Sequence, residues 1–263
     1  MPELPEVITI KIDLRKEILG KKLKEIKITQ SYRKLNLTND SLNQTVKDVF
    51  NIGKQIIMEF DNESYVCIHL GMTGRLLLNK TDKYEKAALI FSDNKTIYFS
   101  DIRKFGHIKN ISKEDLTKYT FNLGVNILEP YNKKKLINKI KRRKIPIKNA
   151  LLDQSLISGI GNIYATDALY LSKISPTTKA NEIEEIKYEV LIQNIENLLK
   201  EGITHRGSSM NRYVDLHGNP GSHQNYFRVY KQKNKICPDC ASIIKFEKLS
   251  GRGNYYCPNC QKS

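Results

Sequence analysis

Cys237-Pro238-Asp239-Cys240 and Cys257-Pro258-Asn259-Cys260 stand near the end of the chain with sixteen residues between them. Two tight turns at that spacing present four thiolates as a tetrahedron, the arrangement in which Zn2+ is held. A unit this short buries too little apolar surface to fold alone, so metal binding supplies its folding free energy, and four thiolates leave no open coordination position. The spacing therefore predicts one structural Zn2+ on Cys237, Cys240, Cys257 and Cys260; redox or disulfide roles account for two such pairs less well. Cys67, the remaining cysteine, lies in an apolar, strand-like run and reads as a core residue. Between the two pairs, Ser250-Gly251-Arg252-Gly253 forms a turn from which Arg252 projects, either as a guanidinium fork for phosphate or as a solvated charge.

Two further stretches have chemistry-bearing composition. In Met1-Pro2-Glu3-Leu4-Pro5-Glu6-Val7 the prolines start a helix and the glutamates complement its positive end, and physics alone asks for no more. Gly159-Ile160-Gly161-Asn162 runs into an apolar helix, which makes either a phosphate cup of backbone amides with the Asn162 side chain or a plain glycine turn with an asparagine N-cap. The five histidines show no metal-ligand spacing and are given no catalytic role. A net charge of +16, from 44 Lys and Arg against 28 Asp and Glu, favours a polyanionic partner, although a chain rich in Lys, Asn and Ile with no Trp owes part of that excess to compositional bias. No run approaches the roughly 20 apolar residues of a membrane helix, and the N-terminus lacks a signal-peptide pattern, so a soluble intracellular protein without a membrane partner is expected.

The elements that must position these residues follow from periodicity. Val7, Ile10, Leu14 and Ile18 are spaced as the apolar face of a short opening helix that stops at Gly20. From Leu23 to about Ile108 short runs at 23–28, 55–60, 65–70, 87–91 and 96–99, separated by turn signals such as Asp61-Asn62 and Asp93-Asn94, predict an antiparallel sandwich or barrel. Helical segments follow at roughly 113–119, 132–143, 147–154, 162–172 and 181–200. A Gly-, Ser-, Asn- and His-rich loop spans Gly202 to Gln224 and has the composition of a lid.

The separate motifs, taken together and in order, resemble one family. Met1 to Val7, His69-Leu70-Gly71-Met72-Thr73-Gly74-Arg75, Asp101-Ile102-Arg103-Lys104-Phe105-Gly106, Leu151-Leu152-Asp153-Gln154, Gly159 to Ala165 and the cysteine unit closely resemble bacterial formamidopyrimidine-DNA glycosylase along essentially the whole chain. The resemblance implies an α+β fold: an N-terminal helix and antiparallel β-sandwich over 1–112, a helical helix-two-turn-helix domain with the lesion loop over 113–229, and a zinc-finger hairpin over 230–263. It implies a base-excision-repair glycosylase and AP lyase that removes 8-oxoguanine and formamidopyrimidines from duplex DNA. The secondary amine of Pro2, exposed by loss of Met1, is the expected nucleophile, and the resulting imine leads to β,δ-elimination. Glu3 is the expected general acid/base, with Glu6 in the same pocket and Lys54 assisting. Met72, Arg103 and Phe105 are expected to fill the gap left by the everted nucleotide; taken singly they read as two core residues and a surface charge. Lys148, Asn162 and Arg252 are expected to pinch the flanking phosphates. The same resemblance leads to the expectation of a cytoplasmic, nucleoid-associated monomer acting on damaged double-stranded DNA. Two other readings stand beside it: an endonuclease VIII-like enzyme for oxidised pyrimidines, and a non-catalytic zinc protein that binds nucleic acid through its basic surface.

Overall fold

The computed structural model describes residues 1–30, 32 and 34–262. The chain forms two compact units, one made of Met1–Asn122 and Gly202–Gln224, the other of Leu123–Glu201 and Asn225–Ser263.

In the first unit, helix α1 (Leu4–Ile18) begins with Pro5 in its first turn and buries the Val7, Ile10, Leu14 and Ile18 face. The strands are β1 (Leu23–Ile28), β2 (Leu35–Asn36), β3 (Val46–Ile52), β4 (Gln55–Phe60), β5 (Tyr65–His69), β6 (Gly74–Leu78), β7 (Glu85–Phe91), β8 (Thr96–Asp101) and β9 (His107–Ile111), followed by helix α2 (Lys113–Asn122). They form a four-stranded antiparallel sheet, β1-β7-β8-β6, and a five-stranded sheet, β2-β9-β5-β4-β3, in which only the short β2–β9 pair is parallel. One apolar core draws on both sheets and on α1, which makes the pair a sandwich. Alternation along β4 divides its apolar residues between two clusters: Ile56, Met58 and Phe60 enter the shared core, while Ile57, flanked by Gln55 and Glu59 on the opposite face, joins Tyr65, Cys67 and Ile111 under Leu116 and Tyr119 of α2. Cys67 is fully buried, and burial pushes its thiol up to about 12, as a core cysteine requires.

The expected strands at 23–28, 55–60, 65–70, 87–91 and 96–99 are present within a residue or two. Strands β3, β6 and β9 were not legible, because Lys47, Asp48 and Asn51, Arg75, and Lys109 and Asn110 interrupt the apolar signal; β3 is covered by α1, a tertiary contact that periodicity does not carry.

The second unit contains α3 (Lys133–Lys141), α4 (Ile147–Leu151), α5 (Asn162–Leu171), α6 (Glu185–Thr204, all but its last turn) and the hairpin β10 (Lys245–Leu249) with β11 (Arg252–Tyr256). The Gly202–Gln224 segment belongs with the sandwich rather than with the helices, and the cysteine-bearing hairpin shares one compact unit with α3 to α6. Among the described residues no helix is long and apolar enough to cross a membrane.

Candidate active site, nucleic-acid surface and metal centre

Helix α1 runs back along β3. The Gly20 amide donates to the Val46 carbonyl at the start of β3, and Arg15 pairs with Asp48 two residues later. A 15-residue helix rises about 22 Å and a seven-residue strand about 23 Å, so the Pro2-Glu3 end of α1 lies toward the β3–β4 turn, Gly53-Lys54. The same turn marks one end of the five-stranded sheet, since Gln55 pairs with His69 and His69 with His107. Register alone thus brings Lys54, the His69-to-Gly74 turn carrying Met72 and the Asp101-to-His107 turn carrying Arg103 and Phe105 to one edge.

Pro2 and Glu3 are buried and Met1 is exposed. A capping box joins Glu3 to Glu6. The Glu6 carboxylate, 1% exposed, accepts from the Glu3 amide at 2.8 Å and from the Ser208 amide at 2.7 Å. Glu6 therefore binds the N-terminus to the Gly202–Gln224 segment, whereas its place in the sequence said only that it complements a helix end. That segment is fastened rather than loose. Ser209 Oγ accepts from the Gly221 amide at 2.9 Å and donates to the Tyr213 carbonyl at 2.7 Å, and the His223 amide donates to the Gly207 carbonyl at 3.0 Å.

The turns that carry Met72 and Phe105 are locked to each other by glycine and one buried acid. A Cβ on Gly71 would stand 2.6 Å from the Gly106 nitrogen, and one on Gly106 would stand 2.6 Å from the His69 carbonyl oxygen. Asp101, fully buried, accepts from Thr73 Oγ1 at 2.5 Å, from the Arg103 amide at 3.2 Å and from the Gly106 amide at 2.8 Å. With the backbones so held, Met72 and Phe105 remain 48% and 45% exposed, and the Arg103 guanidinium lies 4.5 Å from the Phe105 ring centre. Large apolar side chains left about half in water are not core residues, which sets aside the core reading of Met72 and Phe105.

His69 is a residue that spacing did not single out. Its Nδ1 accepts from the Gly71 amide at 3.1 Å and its ring stacks on His107 at 5.4 Å. Burial, then the charges of Lys54 and Lys34, push His69 down to about 4; burial, then His69, Lys109 and Lys34, do the same to His107. Both rings are neutral at pH 7, and protonating His69 at Nδ1 costs the Gly71 contact. The unfolded chain takes up these protons near the ordinary histidine value, about 6.5, before the folded chain does, so stability falls as pH drops from there toward 4. Melting curves across that interval are expected to show a loss that is smaller in His107→Gln.

In the second unit the cysteine hairpin is seated on α4 and α5. Lys148, 1% exposed, donates from Nζ to the Gly253 carbonyl at 3.0 Å and to Asn254 Oδ1 at 3.1 Å; Asn162 Nδ2 donates to the same carbonyl at 3.0 Å. Asn162 is the first residue of α5 and Gly161 is its N-cap, so Asn162 is not the cap. Lys148 is buried and holds the hairpin whose exposed tip carries Arg252. Lys148→Met is accordingly expected to lower stability by about 1–3 kcal/mol in a denaturant titration and to leave the salt dependence of DNA binding unchanged. Arg252→Ala is expected to reduce the slope of log K against log salt by about 1. Asp167, a further residue that the sequence did not flag, is buried in α5 and accepts from the amides of Arg228, Val229 and Tyr230 at 2.9–3.0 Å, fixing the approach to the cysteine unit.

The four sulfur atoms of Cys237, Cys240, Cys257 and Cys260 lie within 4.8 Å of one another. Zn–S bonds of about 2.3 Å in a tetrahedron place sulfurs about 3.8 Å apart, and the Cys237–Cys260 and Cys240–Cys257 separations are 3.8 and 3.3 Å. An all-thiolate set of this size suits Zn2+ and leaves no position for a reacting water.

Comparison with known proteins agrees with this geometry region by region. Residues 1–108 match the formamidopyrimidine-DNA glycosylase N-terminal domain, 123–213 its H2TH domain, and 235–262 the zinc finger found in FPG and IleRS. The formamidopyrimidine-DNA glycosylase of Rickettsia africae is 34% identical over 276 residues, covering all of both chains. The chain belongs to the formamidopyrimidine-DNA glycosylase family. Within that family, the fold resembles Lactococcus lactis Fpg in complex with an abasic site containing DNA (TM-score 0.90, 30% identity, 99% of this chain and 100% of that one). It equally resembles MutM in complex with carbocyclic 8-oxo-G containing DNA (TM-score 0.90, 30% identity, all of both chains). The α+β architecture and the single structural zinc are those of the family.

Proposed function

We propose that this glycosylase-family chain excises oxidised purines, 8-oxoguanine and formamidopyrimidines, from duplex DNA and then cuts the strand, acting as a cytoplasmic monomer on the nucleoid. One observation carries the reading: at the sheet edge toward which the Pro2-Glu3 end of α1 runs, Met72, Arg103 and Phe105 stand exposed on two turns that glycine and Asp101 lock together. A thioether and a ring replace stacking area when a nucleotide is everted, and the guanidinium hydrogen-bonds the base left opposite.

Once Met1 is removed, the Pro2 secondary amine attacks C1′ as its neutral form, of which a free α-amino group with a pKa of about 7.7–8.0 holds an appreciable share near neutrality. The base departs, the imine acidifies C2′, and β- then δ-elimination releases the strand. Glu3 moves protons beside the amine, Lys54 stands with it at the sheet edge, and Glu6 holds the backbone that carries both Pro2 and Glu3. Arg252, at the exposed hairpin tip, takes a flanking phosphate, and Asn162 and Lys148 hold that hairpin in place. The zinc organises the hairpin and enters no step.

The test is a duplex with one 8-oxoguanine opposite cytosine, incubated with protein shown by mass to lack Met1, with borohydride added. A covalent adduct with strand cleavage supports the reading. Adduct only with an oxidised-pyrimidine duplex moves the substrate to the endonuclease VIII class, and binding without adduct on either duplex leaves a non-catalytic zinc protein.

A further inference from the structure

The Gly202–Gln224 segment is fixed to α1 by an ion-pair group centred two residues before the Ser208 amide that Glu6 accepts from. Arg206, in the left-handed region at φ 56°, donates from Nη2 to Asp13 Oδ2 of α1 at 2.6 Å and to Asp215 Oδ2 at 2.7 Å, and from Nε to the same Asp215 oxygen at 3.1 Å. The other Asp215 oxygen accepts from the His217 and Asn219 amides at 2.9 and 2.8 Å. Tyr213 donates its hydroxyl to the Arg206 carbonyl at 3.0 Å. Gly207 follows at φ 79°, so near Glu6 that a Cβ would stand 2.7 Å from Cγ, and Ser208 then donates its amide to Glu6 Oε1. The second Glu6 oxygen holds the Glu3 amide. Two sets of charge-assisted hydrogen bonds, one on Asp13 and Asp215 and one on Glu6, are joined by the 206–208 backbone and so link a half-exposed arginine to the backbone next to Pro2.

We propose that Arg206 is a positioning residue for the N-terminal nucleophile: by spanning Asp13 and Asp215 it sets residues 206–208 against Glu6, and through Glu6 it orients Pro2 and Glu3. The inference rests on the imine chemistry proposed above. Its physical basis is the division of the Glu6 carboxylate, one oxygen to each backbone amide. A buried carboxylate that loses the Ser208 donor is left with a less compensated charge, and the Glu3 amide that it holds shifts with it. The guanidinium fork is needed because one planar group reaches two carboxylates at once; a lysine ammonium offers a single point charge.

The test compares Arg206→Ala, Arg206→Lys and wild type with Met1 removed. Single-turnover borohydride trapping on an abasic-site duplex is expected to slow about 10- to 100-fold in Arg206→Ala, the size of effect that a small misplacement of reacting groups produces. Arg206→Lys is expected to recover part of the rate, and affinity for the same duplex is expected to stay within about twofold. Amide hydrogen exchange of Glu3 and Ser208 in the free proteins, which requires no activity, is expected to quicken in the same order. If Arg206→Ala does not fold, Asp13→Asn removes one partner at constant size and is expected to show the same pair of changes at lower amplitude. A wild type that forms no adduct overturns the imine reading while exchange still decides the anchoring. Unchanged exchange at both amides, or quickened exchange with an unchanged trapping rate, overturns the role assigned to Arg206.

Discussion

A chain that keeps Met1 is expected to form no borohydride-trapped adduct and to cut a damaged duplex at least about a thousandfold more slowly than the processed chain, the scale of losing a covalent nucleophile. The reason is electronic: an acyl group on the Pro2 nitrogen withdraws the lone pair that must attack C1′. Retention is imposed by placing a bulky residue after Met1 or by withholding the processing enzyme, and intact mass establishes which form is present before single-turnover kinetics are compared. Pro2→Gly supplies a primary amine in place of the constrained secondary one, and a weakened adduct is expected. DNA affinity should be similar in all these forms, because Met72, Arg103, Phe105 and Arg252 are untouched. Equal trapping by the Met1-retaining chain would move the nucleophile elsewhere, and Lys54, the amine at the same sheet edge, would be the residue to replace next.

Stripping the metal, or replacing Cys240 by Ser, is expected to unfold the hairpin and to abolish tight DNA binding while the sandwich remains folded. The apolar cluster around the cysteines is small, made of Tyr170, Val229, Cys237, Ile244 and Cys257 with a few partly buried neighbours. Against that, structural zinc binding contributes about 10–16 kcal/mol in isolated fingers. The checks are release of one equivalent of zinc on denaturation, and hydrogen exchange along 245–256 before and after chelation. The sheet core around Ile56 and Val66 should keep its protection. A hairpin that stays protected without metal would mean that Lys148, Asn162 and Asn149, which hold Gly253 and Ser250 from α4 and α5, suffice on their own.

The two expectations differ in where their information lies. Four cysteines at fixed spacing determined the metal, its count and its structural role, because thiolate chemistry and turn geometry are local. The opening helix was equally legible from Val7, Ile10, Leu14 and Ile18, since 3.6-residue periodicity is written in the sequence itself. The end-to-end motif order determined the family. Tertiary structure alone decided what each motif residue touches. Lys148 and Arg252 are both basic residues in a basic chain, yet one is buried under a hairpin carbonyl and the other is exposed, a difference of packing to which composition is blind. Glu6 looked like a helix-end charge until the chain returned some two hundred residues later to place the Ser208 amide on it. Arg206, Asp13 and Asp215 carry no spacing signal at all, because the segment that bears two of them leaves the sandwich sequence after Asn122 and rejoins it at Gly202. Met72 and Phe105 are apolar residues of the kind a core uses, and only the close approach of Gly71 to Gly106 turns them outward, a requirement for absent Cβ atoms that no periodicity expresses.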